Sequence, residues 1–356
     1  MAASPLLERK CPSVLSVLSV PSVPSVPSVN VRVSRTVLCL AVALALAAGL
    51  LLAHLASASS GPASAGTARL AALAEDVTAA DGHRYDTRDH TGRTMDAAQI
   101  AQGPDGGYLA VYHTLLDDGR FHAAVATSTD LRHWHRRHDF GPGTHQASLA
   151  DDGRGGYVLA YEKDPRNHIA VRAYADRTAL LDGRASRSFD APRTLSRCAE
   201  GTPSITEARG NTIELTGHYR AGCDTDRQLR ATLTGFRDWH ATPDRRLDRA
   251  LQTWGNGGNL GDRTPLELAG QRMLLVEGQR WRGDFGSWRT YAYDPMSGRA
   301  DRLAISTHGG SRAFANPSAT LVTDPQGRPA LLVSLFIPAQ GAAPGEAGQL
   351  VYWHKL

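Results

Sequence analysis

Five carboxylates stand in similar local settings along this 356-residue chain: Asp96, Glu162, Glu200, Asp262 and Glu277. Each lies at an end of a short apolar stretch, and each has polar company at matching places in His113, His145, Gln146, His218 and Asn316. Carboxyls that converge on one concave site shift one another's pKa, so that one holds a proton while another stays ionised. Such a pair can protonate a leaving group and activate a water, which is general acid/base hydrolysis. Other chemistries lack their residues. The sequence has no Gly-x-Ser-x-Gly elbow, no His-Glu-x-x-His helix, no Walker A loop and no EF-hand loop. Asp151-Asp152-Gly153 reads as a turn and not as a calcium loop.

The elements that must position these residues form a repeat. Alternating apolar residues, a tight turn and a second apolar stretch recur from Met95, Thr144, Glu200, Leu260 and Phe314, with turns PDGG, DDGRGG, ARGN, AGQ and DPQGR. Taking Asp96, Gln146, Thr202, Asp262 and Asn316 as equivalent starts, the spacings are 50, 56, 60 and 54 residues. Third strands are expected at Phe121–Ser128, Ile169–Tyr174, Gln228–Thr234, Trp288–Tyr293 and Gln349–Trp353, and short helical turns near 176–181 and 244–251. A four-stranded repeat of this length is a propeller blade, so the fold class is all-β, a five-bladed β-propeller over residues 83–356. The last repeat ends after three strands, and the polar stretch 83–94 is expected to supply the fourth and close the ring. First-strand starts and second-strand ends of such hairpins share one end of the ring. All ten polar residues named above therefore face one funnel. Trp281 and Trp288 are candidate sugar platforms, whereas Trp134 and Trp239 are expected to pack between blades.

The phrase ATSTDLRHW at a blade edge, echoed by LTGFRDW in the third repeat, and EGTPSI opening that repeat resemble the five-bladed glycosidases of glycoside hydrolase family 43 and the related family 32. The resemblance covers roughly residues 83–356. It implies a base opening blade one, matched by Asp96, and an acid opening blade three, matched by Glu200. It also implies an Asp opening blade two, where this chain has His145-Gln146-Ala147-Ser148. The function expected is hydrolysis of a poly- or oligosaccharide by an inverting acid/base pair, which needs carboxyls roughly 6.5–9.5 Å apart. The alternative is a non-catalytic, lectin-like propeller. No cofactor is assigned; a structural calcium at the propeller axis is the open alternative.

Residues 12–29 repeat Pro-Ser-Val and Leu-Ser-Val units, an apolar run covers 37–53, and Ala56-Ser57-Ala58 offers a small-residue cleavage site. Residues 1–58 thus read as a low-complexity stretch and signal peptide, with an uncleaved anchor as the alternative, and 59–82 as a linker. The chain is expected to be secreted, monomeric and without a stable membrane partner. Only three of the 39 basic residues are Lys, and beyond residue 58 there are 35 basic residues against 34 acidic ones, so no nucleic-acid partner is implied. Cys198 and Cys223 flank the first hairpin of the third repeat and are expected to form a disulfide in an oxidising compartment.

Overall fold

The structure, a computed structural model, describes residues 64–356. The expected export segment, residues 1–58, lies outside the described residues. The linker expected over 59–82 is structured from residue 65 onward: helix α1 (Ala65–Ala74) is followed by a 3-10 turn and by strand β1 (Gly82–Arg84). Ser64 caps the helix by accepting the Thr67 N–H at 3.3 Å. Leu70, Leu73 and Val77, spaced three and four apart, put one apolar stripe against Leu266, Leu275 and Leu331. That buried stripe is why the segment does not behave as a linker.

Among the described residues, twenty strands make five antiparallel four-stranded sheets. Blade one is β2 (Asp96–Gln102), β3 (Tyr108–Leu115), β4 (Phe121–Ser128) and β5 (His135–Pro142). Blade two is β6 (Thr144–Asp151), β7 (Tyr157–Lys163), β8 (His168–Tyr174) and β9 (Arg187–Asp190), with the short helix α2 (Arg177–Leu181) between its last two strands. Blade three is β10 (Glu200–Arg209), β11 (Thr212–Ala221), β12 (Thr225–Thr234) and β13 (Asp238–Pro243), followed by α3 (Arg245–Gln252). Blade four is β14 (Arg263–Leu268), β15 (Gln271–Gln279), β16 (Trp288–Asp294) and β17 (Arg299–Arg302). Blade five is β18 (Ala315–Thr323), β19 (Pro329–Ile337) and β20 (Gly348–Lys355), completed by β1 through the pairs Gly82↔Trp353 and Arg84↔Val351. The ring is therefore closed by the N-terminal strand, as the truncated last repeat requires. The innermost strands β2, β6, β10, β14 and β18 contact one another around the axis. Below the funnel they enclose a cavity of about 140 Å³ lined by Gln99, Ser148, Ser204, Thr264 and Ser318 among others.

The core lies in the seams between blades. Strand β3 is buried along its length up to the exposed Leu115, because blade faces on both sides cover it. One apolar cluster joins blades five and one through Trp134, Val322 and Trp353, another joins blades one and two, and a third joins blades two and three. Trp134 is buried and Trp239 lies against the third cluster, so both pack between blades as expected. The two echoed phrases share a local geometry: Leu131 and Phe236 both have left-handed backbones, with φ of 61° and 56°. In the first, the Ser128 hydroxyl accepts the N–H groups of Asp130 and Leu131, and Asp130 accepts those of Arg132 and His133. This tight corner is what the phrase encodes.

Candidate active site

Four of the five inner strands carry a bulge just after they leave the funnel end. The residues at the bulges are left-handed: Ala97, Gln146, Thr202 and Asn316, with φ between 46° and 53°. Such a residue turns its N–H out of the strand ladder, and a buried N–H without an acceptor is costly. Side chains at the second-strand ends meet that need across the seams. His113 Nδ1 of blade one accepts the Gln146 N–H of blade two at 3.2 Å. Glu162 of blade two accepts the Thr202 N–H of blade three at 2.9 Å. Glu277 of blade four accepts the Asn316 N–H of blade five at 2.5 Å. The pattern of polar second-strand ends in the sequence is thus first a set of clamps between blades.

The carboxylates also dictate glycine beside them. A Cβ at Gly201 would lie 2.0 Å from Glu162 Oε2, and one at Gly261 would lie 2.0 Å from Glu277 Oε1. Glu277 Oε1 accepts the Asp262 N–H at 2.7 Å. Asn316 Nδ2 reaches both Asp262 Oδ2 and Gln146 Oε1 at 3.4 Å, so amides bridge from blade four to blade two across the funnel floor. Thr202 Oγ1 and His218 Nδ1 are 2.5 Å apart, and the Arg263 guanidinium donates to the carbonyls of Thr202 and Gly261. The structure thereby brings together His113, Gln146, Glu162, His218, Asp262, Glu277 and Asn316. His145 stands at the same rim, its ring centroid 6.2 Å from that of His113 and its Nε2 3.9 Å from Asp164.

Two of the expected residues sit otherwise. Glu200 does not join this network: its Oε1 accepts the N–H groups of Leu195 (2.5 Å) and Ser196 (2.9 Å), which ties down the loop before its strand. Successive strand side chains point to opposite faces, so with Gly201 set against Glu162, Glu200 is turned to its own blade. In blade one the left-handed residue is Ala97, so Asp96 aligns with His145 and not with Gln146. Its carboxylate takes a hydrogen bond from the Thr94 hydroxyl at 3.2 Å. The platform expected at Trp288 is also absent, because that ring is buried; Trp281 is 58% exposed.

Electrostatics divide the acids into two groups. Burial pushes Asp96 up to about 6, with Thr94 pulling partly the other way. Burial also raises Asp262 and Glu277, and their mutual repulsion raises Glu277 further, against the pull of Arg263. Glu162 is held below its ordinary value: burial would raise it, but His218, His145, Asn167 and the Thr202 N–H together outweigh that. Burial, helped by His145, lowers His113 to about 3 and keeps it a neutral acceptor for the Gln146 amide. The funnel therefore sets carboxyls shifted upward beside one shifted downward, the split that acid/base chemistry uses.

Three participants were not among the expected site residues. Thr202 and Arg263 adjoin Gly201 and Asp262 in sequence, and only the bulge geometry reveals what they do. Asp226, on β12, forms an ion pair with Arg220 at 2.9 Å and lies 3.8 Å from His218 Nε2; nothing in its sequence context marks it. Among the described residues no group of three or more His, Cys, Asp or Glu is placed to hold a metal ion, so the side chains present give a calcium no carboxylate-rich cage.

The five-bladed architecture and the carboxyl-lined axis lead to known structures. The chain resembles the BT0996 protein solved in a complex with RGII, with a TM-score of 0.55 at 9% identity over 81% of this chain and 94% of that one. It also resembles the α-L-arabinanase of Penicillium chrysogenum complexed with arabinobiose, with a TM-score of 0.51 at 13% identity over 78% of this chain and 98% of that one. No protein-family model and no curated protein matches the sequence. At these identities the likeness establishes the fold, and the resemblance to five-bladed glycosidases holds at that level. Which residues of this funnel do chemistry rests on its own geometry.

Proposed function

We propose that this protein is a secreted, monomeric glycoside hydrolase acting on a poly- or oligosaccharide, with Asp262 as proton donor and Asp96 as base. The observation that carries the reading is the buried Asp262–Glu277 pair at the funnel floor: both carboxyls are shifted upward, Glu277 the further, and Asp262 Oδ2 meets the Asn316 amide that also reaches Gln146. In the reaction, Asp96 takes a proton from water as the water oxygen bonds to the anomeric carbon. Asp262 gives its proton to the departing glycosidic oxygen as the C–O bond breaks, and the anomeric configuration inverts. Asp96 then releases its proton to solvent and Asp262 takes one up, which restores the resting pair. Gln146 and Asn316 offer both donors and acceptors to sugar hydroxyls. The glycosidase-like fold supports a carbohydrate substrate, and the Cys198–Cys223 bond supports an oxidising, extracellular location.

The second reading is a non-catalytic glycan-binding propeller. It is favoured by two observations: blade two has Gln146 in place of a carboxylate, and Glu200 is committed to Leu195 and Ser196. Incubating the purified protein with aryl glycosides and with plant and microbial polysaccharides decides between them. Product release, abolished in Asp262→Asn, is the outcome expected of the hydrolase. Binding of a polysaccharide with no product from any substrate selects the lectin.

A further inference from the structure

Blade four carries a second cluster of exposed side chains at the funnel end, outside the network of acids. Trp254 and Phe285 are 46% and 52% exposed, and Trp281 more so. These are large apolar surfaces to leave in water, and Trp254 and Trp281 line one cavity of about 140 Å³. Arg280, Arg289 and Arg302 line the same cavity. Neighbouring Arg282 is paired with Asp224. Among the described residues, Arg280, Arg289 and Arg302 form no salt bridge. The Arg280 guanidinium instead lies 4.7 Å from the centre of the Trp281 ring. Arg289 donates to the carbonyls of Gly286 and Trp288. It is half-buried, which together with repulsion from Arg302 and Arg312 lowers its pKa, against opposing pulls from Tyr291 and Asp284. Three guanidiniums without a matching anion, set among exposed indole faces, leave a site short of negative charge.

We propose that this cavity is a subsite for an acidic sugar, a uronic acid whose carboxylate is held by Arg280 and Arg302 while its ring stacks on Trp281. Indole faces take the apolar face of a pyranose, and guanidinium pairs with carboxylate in a planar, bidentate fashion. The place suits a glycan that continues into the funnel. Arg280 lies three residues beyond Glu277 on the loop leaving β15, so about 10 Å of chain separates them, on the order of two sugar residues. The inference rests on the glycan-acting reading and names the substrate class: an acidic polysaccharide.

The test compares polygalacturonic acid with its fully methyl-esterified form, and adds poly-glutamate as a polyanion without sugar. Binding is measured by affinity electrophoresis and calorimetry at 50 and 500 mM NaCl. The wild type is expected to prefer polygalacturonate over the ester by tenfold or more at low salt, and to lose most of that preference at high salt. Arg280→Gln with Arg302→Gln should bring the preference close to one, with circular dichroism unchanged. Trp281→Ala should weaken both sugar polymers several-fold. A wild type without preference overturns the proposal, as does a preference surviving the double substitution, or poly-glutamate binding as tightly as polygalacturonate. If neutral glycans in the panel are bound or cleaved while uronates are not preferred, only the acidic subsite fails. If nothing in the panel binds or is cleaved, the glycan-acting reading fails with it.

Discussion

Glu277 in blade four accepts the main-chain N–H of Asn316 in blade five at 2.5 Å, while its other oxygen accepts that of Asp262 at 2.7 Å. One buried side chain thus satisfies two backbone N–H groups, the bulged one of Asn316 in blade five and that of Asp262 at the start of blade four. Leaving both amides without an acceptor costs about 1–3 kcal/mol each. Glu277→Ala should therefore destabilise the protein by about 3 kcal/mol or more, read as a fall of roughly 5–10 °C in Tm by calorimetry. A change within error of zero would remove Glu277 from the role of clamp.

Asp262 and Asp96 should separate from Glu200 in kinetics. Asp262→Asn and Asp96→Asn are each expected to cut kcat by at least ~100-fold on the best glycoside substrate, in line with loss of a general acid or base. Glu200→Gln should chiefly lower Tm, since its carboxylate holds the Leu195 and Ser196 amides. If Glu200→Gln silenced the enzyme while Asp262→Asn retained wild-type turnover, the roles would have to be exchanged.

Stability should carry the signature of a buried acid at Asp96. Its carboxyl sits at about 6 in the folded protein against an ordinary 3.8. A raised folded-state value favours the native state while the group is protonated, so this contribution is complete below about pH 3.8 and lost as pH rises through 6. Asp96→Asn removes that loss. The wild type should fall in Tm relative to the variant between pH 4 and 7, and a constant offset across that range would contradict the assignment. Glu162, shifted downward, works in the opposite sense: its contribution is present above about pH 4.5 and disappears as the solution is acidified below that.

The disulfide closes a stretch with a sequence separation of 25, from the loop before β10 to the turn after β11. On the chain-entropy account a loop of that length contributes about 3 kcal/mol. Replacing both Cys198 and Cys223 by Ala should lower the urea midpoint accordingly. Non-reducing peptide mapping of the wild type should recover Cys198 and Cys223 in one disulfide-linked pair of peptides; recovery of both as free thiols would refute the bond.

Much of this fold was legible in the sequence because its information is local. Alternating residues and Asp/Gly/Asn turns define each hairpin, and the third strands expected at Phe121–Ser128 and Ile169–Tyr174 appear within one residue of those bounds. A polar funnel followed from the hairpin ends alone. Helix α1 was missed because its apolar stripe is short and Ala-rich, and becomes meaningful only against the blade-four and blade-five surface that covers it.

By itself, the sequence determined which residues reach the funnel end, since strand order and turn chemistry fix the direction of every hairpin. It determined the closing strand and the Cys198–Cys223 pairing for the same reason. Tertiary structure decided what each acid does there. A bulge shifts a strand by one residue and reverses which face a side chain takes, so Asp96 aligns with His145 and Glu200 turns back into its loop. Whether a carboxyl is ionised depends on burial and on charges brought from other blades, as with Arg263 and Asp262 beside Glu277. Those distances arise only when the ring closes, and no local pattern in the chain encodes them.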